Sequence, residues 1–440
     1  MKGFNIFLYE WKHFIRSPFK VVALLLFVLA GVYGLHNGAS LYNEQMANLE
    51  KIKERSEQDR QQYISYYEEG KKGPDNRPWI DMTTPFWSIW YSNTYHFKTP
   101  SPAMVYSIGQ AEQYGFYKRV TFRASPYDPD MTNEIANPER LQTGTLDFAF
   151  ALVFLLPLLL LILLYNIKGM ETEQGFMPLI EVQTASKSNW LLSRVTFYGA
   201  LVFGVIMLLL AYGAMLTGVF ALASQAFGQM VLLALFYLLF WLVIYSVILV
   251  KGKSILGNTL TMVGVWLLFA FIIPATVHQW VSIEKPTNLM TDFIDATRDE
   301  RIELYEQSDS VIMAQLKAMF PEIKNSPVAQ DSIKKKVAMS ESTTALFNEL
   351  MKKSIAKVEE EHQERNTLVA STFWFNPVSF FQNRFNYVAQ THFANYQEYR
   401  AQIQQLIDQQ IKVLVQDVWN GVEVDKDRYL EYGDKIANID

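Results

Sequence analysis

The sequence contains no cysteine. Disulfides, thiol nucleophiles and cysteine-ligated metals are excluded with it, and any part of the chain in water must hold together by packing alone. Histidine is scarce: His13, His36, His96, His278, His362 and His392 are all there is, and none pairs at the spacing of a helical zinc site. Charge is thin as well, at 19% of residues against about a quarter in a soluble chain. A net charge of −5 gives no basic field for nucleic acid. No serine sits in a nucleophile elbow. Gly252-Lys253-Ser254 has the outline of the end of a phosphate-binding loop, but Val247 stands where the first glycine is required and no strand precedes it. The chain therefore reads as no enzyme, with no cofactor or metal of its own.

The shortage of charge is uneven. Five runs, Val21–Leu35, Phe148–Tyr165, Val195–Leu216, Met230–Val250 and Ile255–Ala275, hold no Asp, Glu, Lys, Arg or His. A hydrocarbon layer of ~30 Å needs roughly 20 apolar residues at 1.5 Å rise each. The runs predict five spans, the first short and the second interrupted by Pro157. Lys2, Lys12, Arg16 and Lys20 precede the first run; Lys168, Lys187 and Arg194 lie between the second and third; Lys251 and Lys253 lie between the fourth and fifth. The positive-inside rule then places the N-terminus in the cytoplasm. The expected architecture is an all-α integral membrane protein. Its order is an amphipathic helix over 1–17, spans over 18–36, 147–166, 195–217, 230–250 and 255–276, cytoplasmic loops at 167–194 and 251–254, and a short external loop at 218–229. Two large, mainly helical extracytoplasmic segments cover 37–146 and 277–440. An odd span count leaves the C-terminus outside, and a sixth span is expected beyond Asp440. Val21–Leu35 followed by Gly38-Ala39-Ser40 also has the outline of a cleaved signal peptide, against which stands the long aromatic stretch before it.

Within the first sixteen residues Phe4, Phe7, Leu8, Trp11, Phe14 and Ile15 share one helical face, while Asn5, Glu10, Lys12, His13 and Arg16 fall elsewhere. This pattern suits a helix lying in the inner interface, with Phe4, Phe7, Leu8, Trp11 and Phe14 as anchors; a helix packed on protein is the other reading. The first external segment opens with a helical run, Leu41–Gly70, and a turn-rich patch, Gly73–Pro78. The aromatics Trp79, Phe86, Trp87, Trp90, Tyr91, Tyr95 and Phe97 follow; they fit a small core, a membrane surface or a binding groove. The second segment predicts helices over Thr291–Phe320, Ser332–Asn366 and Asn383–Trp419, punctuated by Pro321, Pro327 and Pro377.

Transporters driven by ions place ionisable groups inside the membrane, and the five runs have none. Any work done on a substrate would draw on a partner, and the 167–194 loop is the segment able to meet one. There Glu171, Glu173 and Gly175 precede Phe176, Leu179 and Ile180, an apolar knob in front of the polar cluster Ser186–Asn189; a plain connecting loop is the alternative. The stretch Glu171-x-Glu173-x-Gly175, followed by apolar residues, a small polar cluster and a span, resembles the signature of type-2 ABC exporter (ABC-2-type) permeases. Pro178 departs from that pattern, which usually has an unbranched helix former there.

Pro100-Ser101-Pro102-Ala103-Met104 with Gly109-Gln110, and Asn376-Pro377 with Gln390-Thr391-His392-Phe393 and Tyr399-Arg400, resemble motifs of a subfamily with two large external segments and unassigned substrates. The resemblance implies a permease subunit in a bacterial inner membrane, working as a homo- or heterodimer. ATP and Mg would sit on a separate ABC ATPase docked at the 167–194 loop. Mechanotransmission to a periplasmic or outer-membrane partner, and a membrane scaffold, are the alternatives.

Overall fold

The computed structural model describes residues 3–92, 94–129, 146–169, 171, 175–183, 187–252, 254–286, 298 and 302–437. Helix α1 (Gly3–Ile15) leads through Ser17 into α2 (Pro18–Glu68). There follow α3 (Pro85–Trp90), strands β1 (Tyr95–Phe97) and β2 (Tyr117–Arg119), α4 (Phe148–Leu164), α5 (Met177–Gln183), α6 (Lys187–Thr217), α7 (Ser224–Lys251) and α8 (Ile255–Glu284). The chain continues with α9 (Asp309–Met319), α10 (Ser332–Ser371), α11 (Pro377–Val388), α12 (Phe393–Asn420) and α13 (Lys426–Ala437). Among the described residues the only sheet is the antiparallel pair β1–β2, with Tyr95 opposite Arg119. Three residues per strand are too few for alternation to show in a sequence.

Four helices, α2, α6, α7 and α8, are long and apolar enough to cross a bilayer. Their outward rows, Leu25, Leu26 and Leu29 on α2 or Phe236, Val243 and Val247 on α7, are exposed, which suits hydrocarbon and not water. Helix α2 runs unbroken for 51 residues, about 76 Å at 1.5 Å per residue. The sequence expectation of a span followed by a separate helical run is thus replaced by one continuous rod. It ends at Gly70 (φ 66), where Lys71 N–H donates to the Tyr66 carbonyl at 2.8 Å and Gly70 N–H to the Tyr67 carbonyl at 3.3 Å, the Schellman closure.

Helix α4 is shorter than the four and almost wholly buried among them. It contains a π-helical turn, Ala151–Leu155, which ends two residues before Pro157. Proline has no N–H, so the carbonyl four residues back, on Val153, loses its helical partner. The hydroxyl of Tyr237 donates to that carbonyl at 2.6 Å, and Tyr245 donates to the Pro157 carbonyl at 3.1 Å. Both tyrosines, with Trp241 between them, form a buried row on α7. Both bonds are buried, so the tyrosines give these α4 carbonyls partners where water does not reach them.

The two large polar segments build one domain. Helices α9, α10, α12 and α13 pack a common core with Ile80, Met82, Ile89, Val120 and Phe122 of the first segment. Gln410 donates to the Val120 carbonyl at 3.1 Å, Thr344 to that of Phe122 at 3.1 Å, and Tyr429 to that of Tyr91 at 3.0 Å. Of the aromatic cluster, Phe86, Trp87, Trp90 and Tyr91 pack against this core, whereas Trp79 is exposed. The expected single run Asn383–Trp419 is two helices, broken at Gln390 (φ 62). Among the helices here, α11 turns away from the domain: Val378, Phe381 and Phe385 are buried in the cluster formed by the apolar helices, with Phe381 edge-on to Tyr237 at 4.8 Å.

Glu341 of α10 carries a testable consequence. Burial pushes its carboxyl up to about 7. A carboxyl raised in the folded state stabilises fully below its unfolded value near 4.5, and that contribution is lost as pH rises through about 7. Glu341→Gln is therefore expected to raise the thermal midpoint by a few degrees at pH 8 and to leave it unchanged near pH 4.5, read by differential scanning fluorimetry.

Candidate functional site

At the end of the bundle where α1 lies, four acidic and basic side chains from distant parts of the sequence converge. Arg194, at the start of the apolar stretch of α6, is 3% exposed and Glu10 of α1 is fully buried. Arg194 Nε stands 2.5 Å from Glu10 Oε1, and Arg194 Nη1 donates to Glu171 Oε1 at 2.5 Å. The guanidinium also lies over the Trp190 ring at 4.9 Å. Lys20, buried at the start of α2, donates to the Tyr198 hydroxyl at 3.0 Å, within electrostatic reach of Glu10. Two carboxylates and two cations thus balance, and they bind α1, the start of the 167–194 loop, α2 and α6 to one another. Periodicity put Glu10 off the apolar face of α1, but nothing in the sequence marked Arg194 as its partner.

Of the polar residues on and just after α1, Glu10 therefore faces protein, while Lys12 and Arg16 are exposed. Phe14, expected as an interfacial anchor, is buried in the helical core, because the turn that brings Glu10 to Arg194 also brings Phe14 inward. Phe7 packs edge-on to Phe197 at 5.6 Å and is partly exposed. Leu8, Trp11 and Ile15 make the outward row. The side chain of Phe4 lies outside the described part of α1.

The loop itself begins with Lys168, whose ammonium donates to the Leu249 carbonyl near the end of α7. Glu173 lies outside the described residues. Gly175 adopts a left-handed conformation (φ 73) with open space around it, and Phe176 N–H donates to the Glu171 carbonyl at 2.9 Å. This tight turn sets off α5, with Pro178 in its first turn, a position that costs no hydrogen bond. Along it Phe176, Leu179 and Val182 are exposed, Val182 at 86%; spaced by three, they form one apolar row. Ile180 points the other way and packs against the helical core. The outward knob is thus Phe176, Leu179 and Val182, with Ile180 as its anchor.

At the opposite end of the bundle the residues of the two external motifs meet. Pro102–Val105 form a short 3₁₀ turn whose Ala103, Met104 and Val105 are buried. Tyr106 donates to the Leu210 carbonyl of α6 at 2.8 Å, and Thr217 of α6 to the Pro102 carbonyl at 2.9 Å. From the second segment, Asn386 accepts from Ser107 at 2.5 Å, and Thr391 donates to the Ser107 carbonyl at 3.1 Å. Gly109 (φ 51) is required here, since a Cβ would stand 2.6 Å from Thr391 Oγ1. Asp147 completes the junction: one oxygen caps α4 at Phe150 N–H, the other accepts from Ile108 N–H at 2.9 Å. Further along, Arg400 is 3% exposed. It binds Glu359 at 2.9 Å and lies over the rings of Tyr114, Tyr127 and Phe393 at 5.5, 5.0 and 5.2 Å. The His362 ring lies tilted against Phe393 at 4.9 Å, and burial together with Arg400 pushes its imidazole down to about 4.

Residues 294–433 match the family described as a domain of unknown function (DUF3526). Comparison with curated proteins and with solved structures returned no match.

Proposed function

We infer that the chain is the permease subunit of a bacterial ABC system, coupled to a separate ATPase and exporting a substrate across the inner membrane. In this reading α2, α4, α6, α7 and α8 are five spans, α1 and α5 are cytoplasmic, and the domain is extracytoplasmic. A second permease subunit completes the assembly.

The observation that supports it best is the exposed row Phe176, Leu179 and Val182 on α5. A short apolar knob on a helix is the shape that enters a groove of a partner. Its base is joined to the bundle through the Phe176 N–H on the Glu171 carbonyl and the pairing of Glu171 with Arg194 and of Arg194 with Glu10, a route by which a push on α5 would reach α1 and α6. Purification of the tagged chain from its native membranes in mild detergent tests the assignment. A stoichiometric ATPase is the expected companion; an intact complex without one overturns it. Leu179→Asp and Val182→Asp place a carboxylate in the contact, and each is expected to lower ATPase retention about tenfold, the effect of about 1.4 kcal/mol, with the amount of chain in the membrane unchanged.

Transmission of force to a periplasmic partner is the second reading. The continuous α2, running from the bundle into the domain, favours it. Flux of candidate substrates into vesicles separates the two.

A further inference from the structure

Between α10, α11 and the start of α12 the domain has a cleft of about 260 Å³. Ligand sites for whole drug-sized molecules run about 300–1,000 Å³, so this one suits a headgroup. Gln363, Asn383, Arg384, Tyr387, His392 and Gln397 supply its polar lining, Phe373 and Phe393 its apolar floor, and no carboxylate lines it. This is notable on a helix that carries Glu359-Glu360-Glu361 and Glu364. Glu359 is taken by Arg400 and Glu364 by Lys285. Arg384 lies over the Phe380 ring at 5.6 Å and has no carboxylate partner among the described residues.

His392 adds a donor of fixed direction. Its Nδ1 accepts the Ala394 N–H at 3.2 Å as the cap of α12. The neutral ring then carries its proton on Nε2, and burial together with Arg384 holds the imidazole below its ordinary value. A cation, a ring N–H, a phenol and several amides around a cleft without carboxylates make up the donor set of a phosphate site.

The position of the cleft names the source. Helix α11 presents Val378, Phe381 and Phe385 to the apolar helix bundle, so its other face lies at the level where hydrocarbon gives way to headgroups. Trp374, at the corner between α10 and α11, is 84% exposed, and an exposed indole is typical of that layer. The lining residue Phe373 meets Phe380 edge-on at 5.6 Å, and Phe380 itself packs on the bundle. We propose that this cleft binds the phosphate of an anionic lipid headgroup in the leaflet on the domain side, with Arg384 as its charge partner. The site requires only that the apolar helices sit in a bilayer, and it stands whether or not an ATPase docks on α5. It lies wholly within the matched stretch 294–433.

The test uses the full chain in nanodiscs of a neutral galactolipid containing a minority of phosphatidylglycerol. Native mass spectrometry reads the lipids it retains. The chain is expected to keep phosphatidylglycerol. Arg384→Ala, and Gln363→Glu on a different helix, should each lower that retention about tenfold, while Arg384→Lys keeps part of it. Both positions are exposed, and a loss common to both reports the cleft rather than the folding of one helix. Retention that inorganic phosphate at millimolar concentration does not displace assigns the ligand to lipid; displacement assigns the same phosphate chemistry to the free anion. Equal retention of phosphatidylglycerol in the unaltered chain and both variants overturns the site.

Discussion

Arg194→Met is expected to cost about 3–5 kcal/mol, the penalty for stranding a buried charge. Adding Glu171→Gln to the same chain should recover most of it. The argument is one of balance. Glu10 and Glu171 face Arg194 and Lys20 across the joint between α1, the loop and α6. Removing Arg194 alone leaves two carboxylates and one cation in a site where Glu10 has no access to water. Removing Arg194 and Glu171 together leaves Glu10 with Lys20, a neutral pair, and methionine fills the space over Trp190. Tryptophan-fluorescence melts in detergent measure both variants. A single variant within about 1 kcal/mol of the parent, or a double variant no better than the single, would mean that the four charges do not act as a unit. The double variant carries a second readout. If α5 docks an ATPase, it should melt near the parent yet couple ATP turnover poorly, because Glu171 no longer ties the loop to α6.

Much of the helical framework could be read from the sequence because its cause is local. An uncharged run long enough for hydrocarbon is visible in any window, and so are the prolines that punctuate the second segment. Two boundaries failed for the opposite reason. Gly38 lies in the expected gap between the first span and the run Leu41–Gly70, yet α2 continues through it; a Cβ there would stand 2.5 Å from the Val105 carbonyl oxygen, so the glycine makes room for a neighbour and does not end a helix. The break at Gln390 carries neither glycine nor proline; its left-handed backbone is held by the Thr391 N–H bonded to the Asn386 carbonyl and by Asn395 donating to Gln390 Oε1. The functional candidates divide the same way. The exposed row of α5 follows from helical spacing within a few residues. The charge joint does not, because Glu10, Glu171 and Arg194 meet only after four elements have packed. The cleft of α10, α11 and α12 was equally hidden: its residues look like ordinary solvated helix faces until the turn at Gln390 folds them together.

Gly34→Ala and Gly204→Ala add the same methyl group inside apolar helices, and they are expected to act in opposite directions. At Gly204 nothing lies within 4 Å, so alanine should be neutral or stabilise by about 0.5–1 kcal/mol through the backbone entropy of the unfolded chain. At Gly34 the new carbon would stand 2.5 Å from the Asp147 carbonyl carbon and the Phe148 nitrogen. Those are backbone atoms and cannot swing aside, so α2 and the start of α4 must separate. Overpacking of this kind costs about 1–3 kcal/mol, occasionally more. The displacement would also fall on Asp147, which holds Ile108 and caps α4. Through Ser107 and Asn386 it would reach α11. Gly34→Ala should therefore loosen the domain from the bundle as well as lower the melt, giving faster hydrogen exchange at residues 102–111 and 386–392 than Gly204→Ala does. Equal melts and equal exchange in the two variants would show that α2 and α4 can part without disturbing the junction. In that case the close approach at Gly34 would be a matter of packing alone, and a signal passing between the bundle and the domain would have to travel along the continuous α2.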